Sequence, residues 1–460
     1  MATVITGGTV VTAAGRVQAD VLVEGAQITA IGAGLRAPGD EVIDAEGCFV
    51  LPGAIDPHTH IELPTGGGAY NADTWYSGTV AAAFGGTTTV IDMITQEKGD
   101  SLMNALADWQ RRAAPRAVVD YGFHMGIIDP QPTVLDEIPL LIKAGVPSIK
   151  LYTAYKDRLM LNDAQLFDVM RATAKANGLV LIHAENGDVI DTLVAEAIAR
   201  GDTAPRFHAA TRPAAAEAEA TGRACRLAEM AGARLYVVHV TCREALEEIE
   251  IARRRGLPVL AETCTHYLLF TADDLARPHF QGAKWVLSPP LRHEKDCQAL
   301  WEALGNTLEV VASDHCPWTM EQKERGRERF DRIPNGAPGL EERLPFLYTY
   351  GVLQNSLTLE ELVAVTSTNP AKIFGLYPRK GAIAPGSDAD IVVWDPMVSR
   401  TWSAATHHCG SDNTPYEGLP VTGAVRHVLV RGRPVISDGV LTAEPGWGKY
   451  LERGVDRAVR

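Results

Sequence analysis

The feature that most constrains the fold of this 460-residue chain is an alternation of strand-like and helix-like segments through its middle. Apolar runs of strand length recur eight times, and amphipathic stretches separate most of them. The predicted strands span residues 48–55, 87–93, 118–125, 148–152, 179–183, 235–239, 258–262 and 308–313. Strands that alternate with helices form parallel sheets, and eight such units form a barrel. We therefore predict an α/β fold with a (β/α)8 barrel of the TIM type.

The two ends of the chain have a different pattern, rich in short strands. Residues 21–32 predict a hairpin with a glycine turn, and residues 390–395 and 425–432 predict further strands. Because both ends share this pattern and the middle does not, we expect them to pair into one small β domain built from discontinuous chain.

Composition narrows the class of protein. Hydrophobic residues make up 46% and charged residues 22% of the chain, as in ordinary globular enzymes. The net charge of −14 argues against nucleic acid and anionic membranes as main partners. No apolar run approaches the length of a membrane span, and the N-terminus lacks the basic region of a secretion signal. The seven cysteines are scattered, without a CxxC pair, so we expect a reducing, cytoplasmic location.

Polar side chains occur at the ends of several predicted strands. Six of them share this placement: His58, His60, Lys150, His183, His239 and Asp314. Active sites of such barrels are built at the carboxyl ends of several strands, so these residues are expected to converge. His58 and His60 alternate along one strand and point to the same side. Imidazole and carboxylate ligands suit zinc above all, with manganese, cobalt or nickel as alternatives. His124 is instead predicted to be a core or rim residue.

Lys150 has two interpretations that the residues alone leave open. It follows the apolar residues 146–149, so its ammonium is expected inside the barrel. Burial and nearby metal ions lower the pKa of a lysine, and the neutral amine can take up carbon dioxide to form a carbamate that bridges two metals. The alternative is an ion pair with Asp314 or Glu185. Asp314 itself could bind a metal or carry protons to a leaving nitrogen.

Eight short segments spread over the chain carry a family resemblance. They read PGAIDPHTH at 52–60, GGTTT at 85–89, KLY at 150–152, HAEN at 183–186, LSPPLR at 287–292, SDHCP at 313–317, PNG at 334–336 and GSDAD at 386–390. With these segments the chain resembles the hydantoinase and dihydropyrimidinase family of cyclic amidohydrolases over essentially its whole length. The resemblance implies a catalytic barrel over residues 53–377 and a small β-sandwich formed by residues 1–52 and 378–460.

The resemblance also implies a pair of metal ions, usually zinc. His58, His60 and Asp314 would hold the first ion, and His183 and His239 would hold the second. Carboxylated Lys150 would bridge them, which favours the carbamate over the ion pair.

By the same resemblance, three residues would contact the substrate. Tyr155 would donate its hydroxyl to the oxyanion of the tetrahedral intermediate, whereas the residue alone predicts an ordinary rim position. Ser288 and Asn335 would hold the ring amide mainly through backbone groups. Three segments near the mouth, residues 62–71, 93–99 and 153–162, would shape the pocket. Its candidate walls are Leu63, Met93, Tyr152 and Leu159, with plain loop packing as the alternative.

The implied reaction opens the cyclic amide of hydantoins or 5,6-dihydropyrimidines to N-carbamoyl amino acids. An allantoinase is the rival enzyme, but allantoinases usually lack a tyrosine at the position of Tyr155. Dihydroorotases carry an arginine where this chain has Glu62, and a carboxylate there is expected to repel an acidic substrate. A non-catalytic scaffold is the rival from another class, although every ligand position is filled. The resemblance implies a homotetramer, with a homodimer as the alternative.

Overall fold

The computed structural model of the chain describes residues 2–66 and 68–454 and is built around an eight-stranded sheet. Its strands, called here the first to the eighth barrel strand, are Ala54–Thr59, Thr87–Thr95, Asp120–Gly126, Ser148–Tyr152, Leu179–His183, Arg234–Val237, Val259–Cys264 and Val310–Ala312. They pair in chain order and all in parallel. A bridge between Thr59 and His315 nearly closes the sheet. The predicted TIM-type barrel is confirmed.

Helices cover the outside of the barrel. The α-helices are Trp75–Phe84, Leu102–Ala113, Pro132–Lys143, Asp163–Lys175, Gly187–Ala199, Phe207–Ala210, Ala214–Ala231, Arg243–Arg254, Thr265–Leu269, Glu294–Ala303, Met320–Glu324, Arg343–Phe346, Leu359–Val363 and Asn369–Ile373. The 3₁₀ turns are Ala272–Ala276, Gln281–Trp285 and Phe330–Arg332, and the π-helical turns are Leu347–Val352 and Ala364–Thr368. In the described part of the chain, no helix combines the length and the apolar character that crossing a membrane requires.

Alternation along the strands separates two apolar layers. In the second barrel strand, Ile91 and Met93 pack inside the barrel, whereas Val90 and Ile94 pack outward against the helices. The covering helices turn an apolar face, with residues at helical spacing, toward the outer side of the sheet. The helix Arg243–Arg254, for example, buries Ala245, Leu246 and Ile249. Both layers are needed because a parallel sheet is buried on both faces.

The two ends of the chain form two further sheets. One holds Thr3–Thr6, Asp20–Glu24, Gln27–Gly32 and Glu41–Asp44, and the other holds Thr9–Thr12, Gly15–Gln18, Phe49–Pro52, Ile391–Thr401, Pro420–Val430, Arg433–Ser437 and Val440–Leu441. Phe49–Pro52 pairs antiparallel with Ile391–Thr401, so N-terminal and C-terminal strands share one sheet. A separate short hairpin, Pro64–Gly66 with Ala69–Tyr70, lies near the mouth of the barrel. The division into two domains at residues 52 and 378 stays a prediction.

The predicted first strand, residues 48–55, is in fact two strands that belong to different sheets. Phe49–Pro52 lies in the terminal sheet and Ala54–Thr59 in the barrel, with Gly53 between them. Gly53 packs directly on the second barrel strand, where an added Cβ would lie 2.1 Å from Thr88 Oγ1. The prediction merged the two strands because both are apolar and nothing in the hydrophobic pattern marks the change of sheet.

Candidate metal centre

The carboxyl ends of the barrel strands bring the predicted ligands together. Asp314 Oδ1 lies 3.2 Å from His58 Nε2 and 3.1 Å from His60 Nε2. On the other side, His183 Nδ1 lies 2.9 Å from His239 Nε2. Ligand atoms of His58, His239 and Asp314 all fall within 4.8 Å of one another. Side chains from the first, fifth, sixth and eighth strands therefore face one small volume.

The backbone takes unusual conformations where it presents these groups. His239, Asp314 and Tyr155 have φ values of 41°, 46° and 67°. Residues other than glycine rarely adopt positive φ, at a cost of roughly 1–3 kcal/mol each, and such residues cluster at functional sites. The turns that follow the sixth and eighth strands thus aim the His239 and Asp314 side chains into the mouth.

The protonation states of the cluster suit a divalent cation. Burial lowers the pKa of His60 and His183, and lowers the pKa of His239 well below its usual value. Burial opposes ionisation of Asp314, but His58 and His60 together hold the pKa of that carboxyl well below its usual range. Neutral imidazoles and an ionised carboxylate are the forms that bind metals. Nδ1 of His239 is buried with no hydrogen-bond partner among the described residues. This donor set fits a divalent metal ion.

Lys150 lies within the same cavity. Its side chain is almost fully buried, and burial lowers its pKa to about 8 although Asp314 and Glu262 act in the opposite direction. No ion pair connects Lys150 to a carboxylate in the part of the chain that the structure describes, so the ion-pair alternative lacks its partner. A lysine with this pKa is present in part as the neutral amine near neutral pH.

Two buried carboxylates behind the ligands were not predicted as site residues. Glu262, in the seventh barrel strand, contacts His58 Nδ1 and accepts a hydrogen bond of 2.8 Å from the Tyr236 hydroxyl. Glu185 Oε2 lies 2.8 Å from His183 Nε2 and 3.1 Å from Arg212 Nη1. Such partners orient metal-binding histidines. The signal for Glu262 was an acidic residue at the end of the predicted strand 258–262, which is otherwise apolar.

A cavity of about 1150 Å³ opens onto the cluster. Besides the cluster itself, it is lined by six predicted residues: Leu63, Tyr152, Tyr155, Leu159, Ser288 and Asn335. The Tyr155 ring lies 5.0 Å from the His183 ring, and Asn335 Nδ2 donates a 3.0 Å hydrogen bond to Ser288 Oγ. Burial raises the pKa of Tyr155 above its usual value, so its hydroxyl keeps its proton and can donate it in a hydrogen bond.

The structure places three other residues of the sequence analysis away from the cavity. Met93 is buried inside the barrel. Thr95, at the end of the same strand, and Gln96, the next residue, line the cavity instead. Glu62 is also buried. His124 is a core residue as expected, with Nδ1 at 2.6 Å from Ser148 Oγ.

Glu62 forms ion pairs of 3.2 Å with Arg112 and 2.9 Å with Arg116. Its carboxylate is therefore offset by two guanidinium groups and does not face a substrate in the cavity. The expectation that Glu62 repels an acidic substrate does not follow from this position. Tyr155 remains the residue that argues against an allantoinase.

A (β/α)8 barrel with histidines, a lysine and an aspartate at the carboxyl ends of its strands is the arrangement of metal-dependent hydrolases. The sequence pattern of the amidohydrolase family matches residues 49–435. D-hydantoinases of Geobacillus stearothermophilus and Ralstonia pickettii are 47% and 46% identical to this chain, each over 98% of it and 97% and 98% of their own length. The crystal structure of dihydropyrimidinase from Brevibacillus agri matches with a TM-score of 0.97 and 47% identity over 99% of both chains.

The chain therefore belongs to the amidohydrolase family, in its hydantoinase and dihydropyrimidinase branch, and is a cyclic amidohydrolase. Enzymes of this family generally depend on two metal ions, and the cluster of His58, His239 and Asp314 is a candidate site for them.

Proposed function

We propose that this enzyme opens the cyclic amide of hydantoins or 5,6-dihydropyrimidines to give N-carbamoyl amino acids. The observation that carries the proposal is the convergence of Tyr155, Ser288 and Asn335 on the cavity that holds the His58–Asp314 cluster. The names of the curated relatives, D-hydantoinase, and of the solved dihydropyrimidinase support this class of substrate.

We infer that the centre holds two divalent ions, zinc in the first place and manganese, cobalt or nickel as alternatives. His58, His60 and Asp314 would bind one ion, and His183 and His239 the other. The neutral Lys150 amine would form an N–C bond with carbon dioxide and lose a proton, which would give a carbamate, an anionic oxygen ligand suited to divalent ions. When bound, the two ions would acidify a water molecule and polarise the ring carbonyl.

The residues of the chain then divide the remaining tasks. Ionised Asp314 takes the proton of the attacking water and passes it to the ring nitrogen as the amide bond breaks. The protonated Tyr155 hydroxyl donates a hydrogen bond to the carbonyl oxygen as negative charge develops there. Ser288 and Asn335 hold the ring amide through backbone groups and so orient the carbonyl toward Asp314.

We further propose that the enzyme works in the cytoplasm as a homotetramer, with a homodimer as the alternative, and without nucleic-acid or membrane partners. Light scattering of the metal-loaded protein measures its mass directly. A monomeric mass would contradict the proposed assembly but would not bear on the proposed reaction.

The experiment that tests the function is ring opening on a small panel with a chelated control for each compound. The panel is dihydrouracil, hydantoin, a 5-phenyl-substituted hydantoin, allantoin and dihydroorotate. We expect turnover of the first three and its loss on chelation. A preference for allantoin or dihydroorotate would overturn the proposed substrate class and leave the metal centre standing.

The proposed carbamate is tested by Lys150→Ala. We expect this variant to hold fewer than two metal ions per chain after loading and dialysis, because the bridging ligand is gone. Elemental analysis measures the metal, and native mass spectrometry of the unaltered enzyme measures the added mass of one carbon dioxide. Two ions bound to Lys150→Ala would disprove the bridge.

A further inference from the structure

Lys323 is a buried cation that the proposed reaction does not use. It lies in the short helix Met320–Glu324, and its side chain is almost fully buried. Its Nζ donates to three backbone carbonyls, those of Gly336 at 2.8 Å, Pro334 at 3.1 Å and Val286 at 3.2 Å. An ammonium has three N–H donors and no acceptor, so these carbonyls use all of its hydrogen-bonding capacity. Within residues 2–66 and 68–454, Lys323 has no carboxylate partner.

The three carbonyls belong to the two segments that carry the proposed ring-binding residues. Val286 lies just before Ser288, and Pro334 and Gly336 flank Asn335. The segments also meet directly, since Gly336 N–H donates to the Val286 carbonyl at 3.0 Å. Lys323 therefore ties the Ser288 segment to the Asn335 segment at the point where they touch.

The surrounding residues fix the rest of both segments in a similar way. Three further side chains contact carbonyls here: His208 with Leu287 at 2.8 Å, Tyr267 with Pro289 at 2.7 Å and Trp318 with Asn335 at 2.8 Å. These contacts each hold a single segment. The Lys323 ammonium differs from these three side chains because it binds both segments, and it adds to the two hydrogen bonds that join them directly, Gly336 N–H to the Val286 carbonyl and Asn335 Nδ2 to Ser288 Oγ.

We propose that Lys323 is a positioning residue that holds the Ser288 and Asn335 segments at the separation required to bind the ring amide. The inference rests on the proposed function, because it takes these two segments as the substrate clamp. A ring amide needs donor and acceptor groups at fixed positions, and a small displacement of either segment weakens binding in the ground state and the transition state alike.

Three variants separate positioning from stability. Lys323→Met keeps the approximate volume of the side chain and removes every donor. Lys323→Gln tests whether a neutral amide with two N–H donors suffices in place of the three donors of the ammonium. Lys380→Met is the matched control. Lys380 is an equally buried lysine that pairs with Asp120, Asp388 and Asp390 away from the mouth, so Lys380→Met controls for the general loss of stability that follows removal of a buried cation.

The first measurement is hydrogen exchange of peptides that cover residues 286–292 and 333–339, and it does not depend on activity. We expect faster exchange in both segments for Lys323→Met, a smaller change for Lys323→Gln, and none for Lys380→Met. Unchanged exchange in both Lys323 variants would overturn the inference. If Lys323→Met does not fold, Lys323→Gln decides by the same criterion.

The second measurement is the kinetics on the panel compound that the unaltered enzyme opens fastest. For Lys323→Met we expect KM to rise about tenfold, as for the loss of one well-placed hydrogen bond, with kcat kept within about threefold and metal content unchanged. An unchanged KM despite faster exchange, or an equal rise in Lys380→Met, would overturn the positioning role. Absence of turnover by the unaltered enzyme would refute the proposed function, and exchange alone would then decide whether Lys323 ties the segments.

Discussion

Asp314 is the residue on which the proposed chemistry depends most. Its Oδ1 lies within 3.2 Å of both His58 Nε2 and His60 Nε2, so it is placed as a metal ligand, and the cavity in front of it is open to a substrate. One carboxylate can serve both as a ligand and as a proton carrier, since each use needs a different oxygen lone pair.

We predict that Asp314→Asn keeps its metal ions but loses about 10²–10⁴-fold in kcat, because an amide keeps an oxygen ligand but does not take up a proton at neutral pH. Metal analysis and steady-state kinetics on hydantoin measure the two effects. Asp331→Asn, which neutralises a carboxylate that lines the same cavity and pairs with Arg329, is the control and should stay near the unaltered rate. Full activity of Asp314→Asn would remove Asp314 from proton transfer.

Glu262 illustrates how a residue without contact to substrate can still set the properties of the centre. It is fully buried, contacts His58 Nδ1 and is itself held by the Tyr236 hydroxyl. It therefore fixes which nitrogen of His58 faces the cavity.

Glu262→Gln is expected to weaken metal binding about 10–100-fold, the usual effect of removing the partner of a metal-binding histidine. Titration against a competing chelator gives the dissociation constants. Glu309→Gln is a suitable comparison, because Glu309 pairs with Arg253 at the other end of the neighbouring strand. Equal dissociation constants for Glu262→Gln and the unaltered protein would contradict the role given to Glu262.

At the scale of elements, the sequence predicted the barrel because strands and helices leave different periods in the apolar pattern. The helix Arg243–Arg254, for example, buries an apolar stripe at helical spacing, formed by Ala245, Leu246, Ile249 and Ala252. The ligands were equally accessible to prediction, since barrel topology brings the carboxyl ends of all strands to one face. The first strand was mistaken because the change from the terminal sheet to the barrel occurs at Gly53 inside one apolar run.

Gly53 therefore offers a test of how tightly the two sheets are joined. We predict that Gly53→Ala lowers the free energy of unfolding by about 1–3 kcal/mol, since the new methyl group would collide with the buried, β-branched Thr88. Urea unfolding of the variant measures this. Gly32→Ala is the control, because a Cβ at Gly32 would meet only Leu35, at 4.0 Å. Unchanged stability in Gly53→Ala would show that Thr88 can move aside at no cost.

Contacts between distant segments could not be predicted from one sequence. Lys323 meets carbonyls at positions 286, 334 and 336, and Glu262 meets His58 from the seventh strand. No local pattern encodes such pairs, because they arise only when the chain is folded. The same holds for Glu62. Its position two residues after His60 suggested a place in the cavity, whereas Arg112 and Arg116 hold its carboxylate elsewhere.

At the scale of the whole molecule, buried neutral histidines link stability to pH. Burial lowers the pKa of His208 to about 3, with Arg212 acting in the same direction, and lowers the pKa of His266 to about 4. In the unfolded chain both imidazoles return to a pKa near 6.5. Between pH 6.5 and about 4 the unfolded chain therefore binds protons that the folded protein does not, and stability must fall as the pH falls.

We predict that the urea midpoint of the chelated protein decreases from pH 6.5 downward, because the buried histidines with a lowered pKa outnumber Asp92, whose carboxyl has a pKa raised by burial to about 7 and acts in the opposite direction in this window. Each such histidine contributes up to about 1.4 kcal/mol per pH unit in this window. Chelation is needed because acid also displaces metal from the histidine ligands and would add to the slope. His208→Gln removes one titrating group and keeps an amide that can donate to the Leu287 carbonyl, so its slope between pH 6.5 and 4 should be shallower than that of the unaltered protein. Parallel slopes would mean that His208 is charged in the folded state as readily as in the unfolded chain, and the acid sensitivity would then have to arise from the other buried histidines.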